Sequence, residues 1–185
     1  MPLRAGALQR RAQGLQLYRS LRWGRLAQLH LLDGRQFRDI QACRPAGQAG
    51  PGAVQAAHCA ALHDPTRSLL GLAQEAWLAR QLQADSRQRP DAARWSLLAQ
   101  TTLFSHRHRP GGRQSTDSWD GYPAARQRLV QQIADAAPHN SVLLGGDIHQ
   151  NYVCAVPAQA DLPPGAGNPV LASEFCGTSI SSRSG

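Results

Sequence analysis

The run Ser141 to Gly146 (SVLLGG) constrains the fold of this chain more than any other stretch. It is short and continuously apolar, the pattern of a strand covered on both faces, and such strands sit inside layered α/β folds. Two further runs read as its neighbours. Leu26 to Leu32 (LAQLHLL) is closed by the turn pair Asp33-Gly34, and Trp95 to Phe104 (WSLLAQTTLF) is the second strand candidate. Helices fit between them. From Gly71, Gln74 and Glu75 occupy a first turn where a carboxylate suits the macrodipole. Leu78 and Leu82 follow at i, i+4 with Trp77 on the buried side, and Pro90 lies in the loop beyond. Pro123 suits a first helical position, Ala125, Leu129 and Ile133 make one apolar face, and Pro138 and Asn140 end that helix. The first twenty residues read as polar helix or loop. Gln41 to Asp64 reads as a long Gly, Ala and Pro-rich loop, and His106 to Asp117 as a polar one. Strand, long loop, helix, strand, loop, helix, strand is an α/β order, with no internal repeat.

Composition narrows the function classes. A length of 185 residues suits one compact domain. No apolar stretch reaches the roughly 20 residues that span a bilayer. All 20 basic residues are arginine and the formal net charge is +8. The arginines are scattered, with no run beyond Arg10-Arg11, so a dedicated nucleic-acid partner is not expected, whereas a positive field that attracts phosphate-bearing substrates is compatible. Arg10-Arg11 is not a twin-arginine export signal, because Ala12 to Arg22 is polar where such a signal is apolar. Cys43, Cys59, Cys154 and Cys176 form no CxxC pair, and two disulfides or four buried thiols fit them equally.

The chemistry concentrates in Gly145-Gly146-Asp147-Ile148-His149-Gln150-Asn151, directly after the apolar run. In extended geometry Asp147 and His149 project to the same side, at a strand end where α/β sheets place ligands. Carboxylate plus imidazole suits iron, zinc or manganese. The two glycines would let a loop or an anionic substrate approach the backbone.

Six segments, in order, resemble the alkaline phosphatase D (PhoD-like) family of metallophosphoesterases. Leu32-Asp-Gly-Arg-Gln-Phe-Arg38 resembles that family's LDTRQYR, with Gly34 where Thr is usual. Leu70-Gly71, Gln74 and Trp77-Leu78 resemble its LGxxQxxWL helix start, and Trp95 to Ser105 its W-x-LLAQQTLFS strand. Asp117-Ser-Trp-Asp-Gly-Tyr-Pro123 with Ala124-Ala-Arg126 resembles DSWDGYPAAR, GGDIHQN its GDxH metal motif, and Ser173 to Ser182 its SEFxGTSISS.

The resemblance implies a sandwich of two mixed sheets flanked by helices, and metal-dependent hydrolysis of phosphate mono- and diesters. It implies iron with calcium as cofactors, Asp147 and His149 as metal ligands, and a periplasmic or secreted location. Arg35, Trp119 and Asp120 are candidates for substrate contact, each with a structural alternative: an Asp33–Arg35 pairing, and a buried Trp bonded to a turn. His106 and His108 read as solvated, Glu174 and the serines after it as backbone caps, and Cys154 and Cys176 as packing or disulfide residues. By the same resemblance, Cys43–Cys59 and Cys154–Cys176 are the expected bridges. The family's upstream ligands, an early cysteine and GDYIYE-like and DDHE-like segments, have no counterpart here. Met1-Pro-Leu-Arg4 resembles an internal HMPLR. Residues 1–185 are therefore expected to form a single partial catalytic domain, with an inactive remnant as the alternative. The catalytic group, the physiological substrate and the oligomeric state are open at this stage.

Overall fold

A computed structural model describes residues 15–45, 47, 52–107, 109–160 and 162–179. Met1 to Arg4, Arg10-Arg11, His108 and Ile180 to Ser182 lie outside the described residues.

Among the described residues there are eight strands in two sheets and two α-helices: β1 (Arg19–Trp23), β2 (Ala27–Leu31), β3 (Ala53–Gln55), α1 (Leu72–Ala84), β4 (Trp95–Ala99), β5 (Arg113–Ser115), α2 (Pro123–Ala136), β6 (Ser141–Gly145), β7 (Tyr152–Pro157) and β8 (Val170–Cys176). The larger sheet has the order β1-β2-β4-β6-β8-β7, and β3 pairs with β5 in the smaller one. Strands β2, β4, β6 and β8 are parallel, and the edge strands β1 and β7 are antiparallel to their neighbours. The fold is the expected mixed α/β arrangement with two sheets and few helices.

Local chemistry explains most of the boundaries. α2 starts at Pro123 and ends where Ala137 turns left-handed at φ 44°. α1 stops at Asp85, whose carboxylate accepts from the Ala93 amide at 2.8 Å. Leu78, Leu82, Leu129 and Ile133 pack on Leu98 and Leu143 of the sheet and form one core with Phe104, Trp119 and Tyr122. Arg128 of α2 clamps Glu75 of α1 at 2.7 and 2.9 Å.

Several sequence expectations need correction. Arg19 and Ser20 belong to a strand, held by pairing with Leu31 and His30 rather than by any local signal. The 41–64 segment contains β3 and two short 3-10 helices, and the 106–117 segment contains β5. The apolar run from Trp95 leaves the sheet at Ala99, because Gln100 folds its side-chain oxygen onto the Thr102 amide at 3.0 Å and starts a turn. Finally, β6 is covered on one face only. Leu143 points into the core while Leu144 is half-exposed, and its face continues across the sheet through Trp95 (42% exposed), Phe175 (48%) and Val153 (76%). Continuous hydrophobicity at β6 therefore accompanies one buried face and one that the described residues leave half-exposed.

Candidate functional site

The carboxyl ends of the parallel strands meet at one edge of the sheet, the position where open α/β sheets gather ligands. Two turns leave that edge, and a third, after β5 of the smaller sheet, is bonded to them. After β2, the Asp33 carboxylate accepts the amides of Arg35 (2.9 Å) and Gln36 (3.0 Å), an Asx-type turn. Gln74 of α1 grips the Asp33 backbone from behind, at 2.8 Å on its amide and 2.9 Å on its carbonyl. The expected Asp33–Arg35 pairing is thus a backbone contact, which frees the Arg35 guanidinium to reach outward.

After β6, Gly145 has no room for a side chain, since a Cβ there would run into the Thr102 carbonyl, whereas Gly146 stands in open space. The close approach of a loop expected at these glycines occurs at Gly145. The chain then abandons extended geometry. Ile148 N–H donates to Gly146 C=O at 2.8 Å, a three-residue turn centred on Asp147, and both Asp147 (φ 69°) and His149 (φ 56°) are left-handed. The premise that two extended residues share a side is incorrect for this segment. The two side chains nevertheless line one cavity of about 440 Å³. Left-handed backbone at a non-glycine residue costs on the order of 1–3 kcal/mol, and such strain gathers at functional sites.

The third turn carries Asp117, which the sequence reading placed in a motif and not in the site. Its carboxylate accepts Arg35 (3.0 Å), Arg38 (2.6 Å) and Gln41 (2.9 Å). Arg35 also reaches Asp147 Oδ2 at 2.9 Å, so one guanidinium, itself on the first turn, ties all three turns together across 82 and 112 residues of sequence. Burial pushes the Asp117 carboxyl up, but the bonds from Arg35 and Arg38 outweigh it and hold it below the usual carboxylate range. Burial likewise works to lower Arg35, and Asp117 and Asp147 raise it above its ordinary value.

Asp120 lines the same cavity. It is buried and accepts His106 Nδ1 at 2.8 Å, with Arg126 at 3.5 Å beneath it, so His106 is a held side chain rather than the solvated one expected. Trp119 is 1% exposed and packs edge-on against Phe104, and its indole N–H donates to Gln100 Oε1 at 3.0 Å. Glu174 is fully buried and accepts the amides of Phe104 (2.6 Å) and Ser105 (2.8 Å), the backbone-capping role expected of it.

Cys43 and Cys59 are disulfide-bonded, whereas Cys154 and Cys176 are free, a correction to the second expected bridge. In the register of β7 and β8 Cys154 faces Glu174 and Cys176 faces Tyr152, so the two thiols are diagonal rather than directly opposed. Burial first, then Glu174, pushes the Cys176 thiol up to about 11, and burial also raises Cys154. Neither is a ready thiolate nucleophile.

Asp147 and His149 suit a borderline or hard metal in kind but fall short in number. Among the described residues no group of three His, Cys, Asp or Glu side chains could hold an ion, and a catalytic metal ordinarily takes about three protein donors. Among the described residues, too, no helix is long and apolar enough to cross a membrane.

Comparison with known proteins places this geometry. A family model described as PhoD-like phosphatase matches residues 1–185. Alkaline phosphatase D of Bacillus subtilis (strain 168) is 34% identical over 185 residues, which cover 98% of this chain and 29% of that protein. A solved structure, "Structure of PhoD", aligns with a TM-score of 0.76 at 34% identity, over 98% of this chain and 32% of that one. The chain thus spans under a third of the length of the relatives it matches.

Proposed function

This chain belongs to the PhoD-like phosphatase family, and from that membership we propose that it hydrolyses phosphate mono- and diesters as one part of a metal-dependent phosphatase. The observation that carries the reading is the shared cavity of Asp147 and His149 at the carboxyl edge of the parallel strands. These two residues contribute a carboxylate and an imidazole to a centre, iron and calcium by resemblance, whose remaining donors do not cluster with them among the described residues. When bound, such a centre supplies an activated water and neutralises charge on phosphate.

The chain's own residues do the positioning. Arg35 holds Asp147 through Oδ2, while Asp117 fixes the other terminal nitrogen of Arg35. Asp120 fixes the His106 ring and, through Arg126, the base of the same wall. Arg35 and Asp120 are substrate-contact candidates on this reading, and Trp119 supports the wall through Gln100. The half-exposed apolar face of the large sheet supports a single partial domain on which further polypeptide packs. The Cys43–Cys59 bond supports an oxidising compartment, periplasmic or secreted. A non-catalytic remnant is the second reading, favoured for these residues alone by the donor count.

The test uses a version extended to the length of the relatives. Asp147→Asn and His149→Ala should each lower bound metal, measured by elemental mass spectrometry, and cut turnover of p-nitrophenyl phosphate by orders of magnitude. Wild-type metal content and turnover in both variants would overturn the assignment. The 185-residue chain alone is expected to show little turnover with iron and calcium supplied. Substantial turnover that vanishes in Asp147→Asn would prove the donor set complete.

A further inference from the structure

The loop before β5 brings two arginines, Arg107 and Arg109, to the wall of the Asp147–His149 cavity. Their electrostatic situation differs from that of the other arginines at the site. Arg35 is matched by Asp117 and Asp147, Arg38 by Asp117, and Arg126 by Asp120. Those three guanidinium groups and three carboxylates offset one another. Among the described residues neither Arg107 nor Arg109 has a carboxylate within ion-pair distance. Arg107 Nη2 donates to the neutral Gln150 Oε1 at 2.7 Å, and its guanidinium carbon lies 6.0 Å from the Tyr152 ring centroid. These contacts orient the fork without neutralising it. Arg109 Nε is shielded from water and meets no acceptor among the described residues. A buried, charged N–H without an acceptor is costly, and a ligand oxygen in the cavity would relieve it.

We propose that Arg107 and Arg109 form the anion seat of this cavity, receiving the peripheral oxygens of the substrate phosphate, and that the seat favours a phosphomonoester dianion over a phosphodiester monoanion. The proposal rests on the phosphatase reading above and adds to it a substrate class and the residues that select it. The selection follows from charge and geometry. Two unmatched positive charges are balanced by a dianion and only half balanced by a monoanion. Two forks can each make a paired contact with a group that presents three unsubstituted oxygens, whereas a diester has only two to share. Asp120 holds the neighbouring Arg107 amide at 3.4 Å and Glu174 fixes the Ser105 amide at 2.8 Å, so the loop root is held on both sides of His106.

Calorimetric titration of the 185-residue chain, with chelator present and at low ionic strength, tests the seat without turnover. The probes are inorganic phosphate, at a pH where it is a dianion, and dimethyl phosphate. Wild type should bind phosphate about tenfold or more tightly than dimethyl phosphate, the range of one charge-assisted contact. Arg109→Gln should weaken phosphate about tenfold and change dimethyl phosphate far less, while Arg87→Gln, an exposed arginine off the cavity, should change neither. If Arg109→Gln loses the wild-type circular dichroism spectrum, Arg109→Lys carries the test, with intermediate phosphate affinity expected because the charge stays and the fork is lost. Equal affinity for the two anions, phosphate binding untouched by the Arg109 substitutions, or no phosphate binding by wild type would each overturn the seat. Arg109-dependent phosphate binding in a protein that, at the relatives' length, turns over no ester would instead sink the phosphatase reading and leave the seat standing.

Discussion

Loss of the Cys43–Cys59 bond should loosen the candidate site from behind. The bond closes a loop with a sequence separation of 16, around a satellite core whose buried members among the described residues are Ala42, Cys59 and Leu62, with Val54 and Ala56 packed against it. So small a cluster cannot order two dozen residues by burial alone. The chain-entropy account of a loop that size gives about 3 kcal/mol at 25 °C. At ~2–4 °C of melting temperature per kcal/mol for a chain of this length, the expected drop is about 6–12 °C. The consequence reaches the cavity because Gln41, two residues before the bond, accepts Thr116 Oγ1 at 2.7 Å and donates to Asp117 at 2.9 Å, and Asp117 holds both Arg35 and Arg38. The assay compares thermal melts of wild type with and without reductant against Cys43→Ala/Cys59→Ala, alongside trypsin cleavage at Arg44. The mass of the non-reduced chain should be two hydrogens below the reduced one, not four, since Cys154 and Cys176 are free. A melting shift under about 2 °C together with unchanged cleavage would refute the reasoning, by showing that the loop is ordered without its staple.

Two further outcomes follow from buried groups. His30 is fully buried, bonded to Ser20 Oγ at 2.8 Å, and burial, partly offset by Asp85, lowers its pKa from 6.5 to about 4. The unfolded chain therefore binds a proton between those values that the folded chain refuses. Stability is full above pH 6.5 and declines as pH falls toward 4, by about 3 kcal/mol; urea midpoints for His30→Leu should lack that slope, and an unchanged slope would exclude His30 as its source. At Gly121 a Cβ would lie 2.6 Å from the Thr116 carbonyl oxygen, backbone that cannot step aside while Asp117 is held. Gly121→Ala should cost about 1–3 kcal/mol, and a variant as stable as wild type in urea would contradict that crowding.

Local pattern alone was enough for the helices and for three of the four inner strands, while β8 went unread. Pro123 with Ala125, Leu129 and Ile133 reads as α2 because capping and a 3.6-residue period act within a few residues of chain. The apolar runs read as β2, β4 and β6 for the same reason, and GGDIHQN marked the edge where the cavity opens. Pattern misled where distant contacts decide. β1 is a strand because β2 lies beside it, β5 because β3 does, and Asp147 and His149 converge through a left-handed turn instead of through strand alternation. The role of Asp117 was legible only in tertiary structure, since its partners Arg35, Arg38 and Gln41 lie 82, 79 and 76 residues away. So was the contrast between matched and unmatched arginines, because a charge pair depends on distance in space and the sequence lists twenty arginines alike. Hydrophobicity at β6 announced that two faces want cover, and only the packed sheet revealed that α1 and α2 cover one of them.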